Sequence, residues 1–139
     1  MITEQDKFEE VIYDLNELSC ETDCPVRVAR LAIKEILEPV IGESEESCDI
    51  YFAIGEILKD VETHGDINGP RLIRIHYEIG GLAIDTFNRI NPDPSELHHN
   101  GFGRAVIQRV FGDNYSFMDD GEIFESHLFV PDDILDVAS

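Results

Sequence analysis

The stretch DIYFAIGEILKDVETHG, residues 49–65, is followed after four residues by PRLIRIHYEIGGLAIDTF, residues 70–87, and the hydrophobic period changes between them. In the first, Ile50, Ile54, Ile57, Leu58 and Val61 recur at helical spacing and form one apolar stripe, which Gly65 closes. In the second, Ile73, Ile75, Tyr77 and Ile79 alternate with Leu72, Arg74, His76 and Glu78, the pattern of a strand with two different faces. Gly80-Gly81 supplies a turn, and a second strand runs back toward Phe87. A helix feeding an antiparallel hairpin predicts an α+β chain.

Working outward extends this reading. Upstream, FEEVIYDLNEL (8–18) alternates loosely, with Val11, Tyr13 and Leu15 on one side, which favours a strand over a helix. ETDCPVRVARLAIKEILEPVI (21–41) reads as a helix: Asp23 caps, Pro25 suits the first turn, and Val26, Ala29, Ile33, Ile36, Leu37 and Val40 make the stripe. Pro39 and Gly42 end it, and ESEESC (43–48) reads as a polar linker. Downstream, NRINPDPSELHHN (88–100) is a long loop with two prolines. A helix over 104–111 follows, then the hairpin NYSFMDDGEIFESHLFVP, turning at Asp119-Asp120-Gly121. Helices on one face of a mainly antiparallel or mixed sheet bury all these stripes. The expectation is a two-layer sandwich forming one domain over residues 1–139.

Composition narrows the partners. The chain has 139 residues, 42% of them hydrophobic, enough for a core without staples. No run of 18 apolar residues is present, so no membrane span is expected. The polar, acidic start MITEQDKFEE does not read as a secretory signal, and a cytoplasmic location follows as an expectation. With 30 acidic against 10 basic residues the formal charge is -20, which speaks against nucleic acid or an anionic membrane surface as a partner. A basic protein partner suits that field, and acidity serving solubility alone is the other reading. Cys20 and Cys24 form a C-x3-C pair with no second pair, and His98 and His99 are adjacent, so free thiols are expected rather than zinc.

Three features carry possible chemistry. Glu56, Asp60 and His64 stand at i, i+4 and i+8 and drift only ~80° around their helix, so they share one polar stripe. Such carboxylates can share a hydrated magnesium ion, one can act as a general base, or the stripe is a solvated flank. Gly101-Phe102-Gly103 places bare amides at a helix start, where a phosphate can rest, or makes a plain turn. Asp85, toward the end of a strand, can accept a hydrogen bond from an amine such as that of adenine, or be an ordinary strand-end acid.

In this order the features resemble the histidine-kinase-like (Bergerat-fold) ATPase family, most closely its small anti-sigma-factor serine/threonine kinases, over about residues 8–130. AIGEILKDVETHG matches the family's A-x-x-E-x-x-x-N-x-x-x-H-G box at Ala53, Glu56, His64 and Gly65, with Asp60 in place of the Asn. GFGRAVIQRVFGD matches the closing G-x-G-L box at Gly101, Gly103 and Asp113, with Arg104 in place of the Leu. The resemblance implies that Glu56 activates a hydroxyl, Asp60 holds magnesium, Asp85 binds adenine, Gly101 and Gly103 fold over the phosphates of ATP, and 88–100 is a lid. It implies a sigma factor or antagonist-type regulator as protein partner, and related regulators pair as homodimers.

The middle box departs from D-x-G-x-G: Phe87 and Arg89 replace its glycines, and Phe87 is expected in the adenine pocket. The alternative is therefore a nucleotide-free module that docks a partner through its acidic surface. The kinase-like interpretation rests on one spatial expectation, that Glu56, Asp60, Asp85 and the amides near Gly103 line one hollow.

Overall fold

The computed structural model of the chain describes residues 10–66, 68–90 and 102–133. Their order is β1 (Val11–Asp14), α1 (Leu15–Ser19), α2 (Pro25–Ile41), α3 (Glu45–His64), β2 (Arg71–Glu78), β3 (Gly81–Arg89), α4 (Phe102–Phe111), a 3-10 turn (Gly112–Asn114), β4 (Tyr115–Asp119) and β5 (Ile123–Pro131). Among the described residues the strands form one sheet in the order β1-β2-β3-β5-β4, every neighbouring pair antiparallel. The helices lie against one face of it, as the hydrophobic patterning predicts.

One core lies between the two layers. Leu15 of α1, Ile33 and Leu37 of α2, Ile54 and Leu58 of α3, and Ile107 of α4 pack with Ile73, Ile75, Leu82, Ile84 and Leu128 of the sheet. Because strand side chains alternate, this cluster fixes which residues face the helices: Ile73 and Ile75 on β2, Leu82, Ile84, Thr86 and Asn88 on β3, and Ser126 and Leu128 on β5. Arg74, His76, Asp85, Phe87 and His127 have the other parity and stand on the open face.

Several boundaries differ from the sequence reading, each for a local reason. The strand expected over 8–18 stops at Asp14, whose carboxylate accepts from the Asn16 amide and starts α1. α2 runs through Pro39 to Ile41, because a proline removes one donor without preventing a final turn that core packing of Val40 and Ile41 holds. The expected linker 43–48 is largely helix: Ser44 caps α3, its hydroxyl accepting from the Ser47 amide while the Ser47 hydroxyl accepts from the Ser44 amide. Ser44→Ala is expected to lower stability by about 1 kcal/mol, read as a lower urea midpoint at unchanged slope. The β2–β3 turn is Ile79-Gly80 rather than Gly80-Gly81, since Gly81 already pairs with Glu78.

Arg71 locks the first half of the chain to the sheet. It is 5% exposed at the start of β2. Its Nε donates to Asn16 Oδ1 at 2.6 Å, Nη1 to the Glu62 carbonyl at 3.2 Å, and Nη2 to Ser19 Oγ at 3.4 Å. The position of α3, and so of its polar stripe, depends on this residue.

Candidate functional site

α3 presents its polar stripe as the i, i+4 spacing predicts, but each carboxylate already has a cation. Glu56 Oε1 is 3.3 Å from Lys59 Nζ, an exposed pair within the helix. Asp60 Oδ2 accepts from Arg104 Nε of α4 at 3.2 Å, with both side chains mostly covered. The Arg104 guanidinium also lies over the rings of Phe124 and Phe117, 4.4 and 5.2 Å from their centroids. The two rings are stacked at 5.8 Å. Tyr115 joins the cluster. Burial is the main cause that raises its phenol above the usual value, while Arg104 pulls it down and Asp60 pushes it up. A guanidinium held by a carboxylate at one edge and two aromatic faces is strongly preorganised.

The expected single hollow is not formed. Asp85 sits on the open face of the sheet, with the sheet between it and Glu56 and Asp60. There it is bracketed by two imidazoles: His76 Nε2 lies 2.7 Å from Oδ2, and His127 Nδ1 is hydrogen-bonded to Oδ1. The reason is parity: Leu82 and Ile84 point inward, so residue 85 points outward. Phe87 follows the same rule and lines a groove on the open face, so it does not fill a pocket beneath the helices. Arg89 is exposed and packs by the Gly69 backbone. Gly103 lies in the first turn of α4, directly before Arg104. Gly101 and positions 91–100 of the expected lid lie outside the described residues.

The polar side chain that β3 does turn toward the helices near its end is Asn88. It is 1% exposed, and among the described residues its Oδ1 has no hydrogen-bond partner. It stands directly across from Phe124, next to the ring that carries Arg104. Thr86 and Ser126, paired in the adjoining row, share a buried hydroxyl–hydroxyl contact. The alternation within GLAIDTFNR already held the signal for Asn88, since Leu82 and Ile84 set the inward parity.

Magnesium prefers a near-octahedral oxygen shell. Asp60 offers it one oxygen beside a guanidinium, and Glu56 is engaged by Lys59, so this donor set suits the cation of Arg104 and does not fit a metal while Arg104 is seated. On the open face a groove of about 500 Å³ is lined by Ile12, Leu72, Phe87 and Met118, with Arg74, Asp85 and Glu125 as charged groups. Arg74 is itself bonded to Glu10, its Nη2 lying 2.6 Å from Oε2.

Among the described residues no helix is long and apolar enough to cross a membrane. No protein-family model matches the chain, and no curated protein matches it. Among solved structures it is similar to the catalytic domain of the histidine kinase ThkA in a nucleotide-free form, at 14% identity and a TM-score of 0.44, covering 88% of this chain and 97% of that one.

Proposed function

We propose that this chain is a regulatory docking module of the histidine-kinase-like type, engaging a protein partner without ATP. The observation that carries the reading is the Asp60–Arg104 pair. A magnesium ion ~5 Å from the guanidinium would meet a repulsion of about 6 kcal/mol at an effective dielectric of 20, which cancels roughly half of the attraction that a single carboxylate ~3 Å away offers and leaves little to offset the ion's dehydration. The partner would be a sigma factor or antagonist-type regulator, as the sequence resemblance implies. Its contact surface would be basic, complementary to a chain of net charge -20. Association through such a surface weakens as salt screens it.

A second reading rests on Asn88. A buried carbonyl oxygen lacking a donor is costly unless a ligand supplies one. The exocyclic amine of adenine would, with Arg104 turning from Asp60 to the phosphates. Thermal-shift and calorimetric titrations with ATP, with and without magnesium, separate the two. For the docking module, wild type shows no shift at millimolar nucleotide, and Arg104→Leu, which frees Asp60, gains a magnesium-dependent one. Wild-type binding that falls at least tenfold in Asn88→Ala would remove the docking-only reading in favour of the nucleotide.

A further inference from the structure

We propose that His76, Glu78 and Asp85 form a binding site for a divalent transition metal on the open face of the sheet, with His127 as its positioning residue. His76 and Glu78 are two apart on β2 and share one face, and Asp85 on β3 is the diagonal neighbour of His76 on that same face. One ligand atom from each of the three lies within 4.8 Å of the others. His76 Nε2 is 2.7 Å from Asp85 Oδ2 and 3.8 Å from Glu78 Oε1. A tetrahedral centre with bonds of about 2.0–2.2 Å sets its ligand atoms ~3.3–3.6 Å apart. The two distances straddle that spacing, so small side-chain movements on a fixed hairpin are enough to seat an ion.

The chemistry of the set fits the same conclusion. One imidazole nitrogen and two carboxylate oxygens neutralise a dication, and the imidazole favours zinc-like ions over magnesium or calcium. Three protein ligands leave a fourth position for water. His127 stands directly across from Asp85 on β5 and hydrogen-bonds Oδ1, which holds the carboxylate with Oδ2 turned to His76. An outer partner of this kind fixes a ligand's orientation. His76 is mostly buried, its side chain 13% exposed, so the nitrogen is already held in place. The negative field of the whole chain raises the local concentration of cations. This site is separated by the sheet from Asp60 and does not depend on what binds there.

The test is calorimetry of the full chain with zinc chloride, in excess magnesium to occupy weak acidic positions, together with the visible spectrum of the cobalt(II) form. One zinc per chain is expected, with a tetrahedral cobalt spectrum lacking a thiolate charge-transfer band. His76→Gln keeps a donor toward Asp85 and is checked for folding by its unfolding curve; it should weaken zinc by more than about a hundredfold, and His127→Ala by about tenfold. Wild-type zinc affinity in His76→Gln, absence of magnesium-resistant binding, or a thiolate band from Cys20 and Cys24 would each overturn the proposal.

Discussion

Arg71→Met is expected to lower the unfolding free energy by about 3 kcal/mol and the melting temperature by about 10 °C. The substitution keeps much of the apolar stem and deletes the guanidinium, so the loss reports on the three hydrogen bonds rather than on packing. The most consequential partner is the Glu62 carbonyl, in the last turn of α3. Carbonyls there have no partner within the helix, and a cation beside them is favoured by the helix dipole. Asn16 also turns on this residue: its Oδ1 accepts from Arg71 and its Nδ2 donates to the Gly69 carbonyl, so one deletion loosens β1, α1 and the approach to β2 together. Urea denaturation should show the lower midpoint with an unchanged slope. A loss under about 1 kcal/mol would mean that solvent replaces these bonds and that Arg71 is not what seats α3.

The same residue shows where the sequence was legible. The period change around it was plain, because an apolar stripe and an alternating strand are local patterns. Its partners, Asn16, Ser19 and Glu62, come from three other positions in the chain, and no local pattern records them. The start of α3 is hidden in the sequence for a related reason. Ser44 and Ser47 make a capping box without the usual Glu or Gln at its third position, so a polar run looked like a linker. The site divides the same way. Helical spacing alone places Glu56 and Asp60 on one polar flank, and Arg104 stands out only as a departure from a pattern. That Arg104 reaches Asp60 across 44 positions was not readable. The place of Asp85 near a strand end suggests a ligand-facing acid, but the parity of Leu82 and Ile84 sends it outward and turns Asn88 inward. Its partner His127, 42 positions away, emerges only when β3 and β5 pair.

Gly81→Ala is expected to cost about 3 kcal/mol or more, and Gly80→Ala only about 1–2 kcal/mol, although the two glycines are adjacent. Gly80 occupies the turn with φ +90, and a Cβ there would meet nothing closer than Phe129 Cζ at 3.8 Å. Its substitution is penalised by backbone conformation alone, and Gly80→Asn should recover part of the loss because Asn tolerates positive φ. Gly81 is strand, and a Cβ there would lie 2.3 Å from the Val130 carbonyl and 2.8 Å from Phe129 Cζ. The ring can swing aside. The carbonyl can move only by prying β5 from β3, which would also disturb the pairing of Asp85 with His127. Urea denaturation of the two alanine variants gives the order directly. If Gly80→Ala were the costlier change, the tight contact at Gly81 would not exist and the turn would sit on Gly80-Gly81, as the dipeptide alone suggests. β3 would then slide two residues along β2, each side chain keeping its face, and Asp85 would stand directly across from His76 instead of Arg74. The ranking of two neighbouring glycines therefore tests the register on which the open-face site depends.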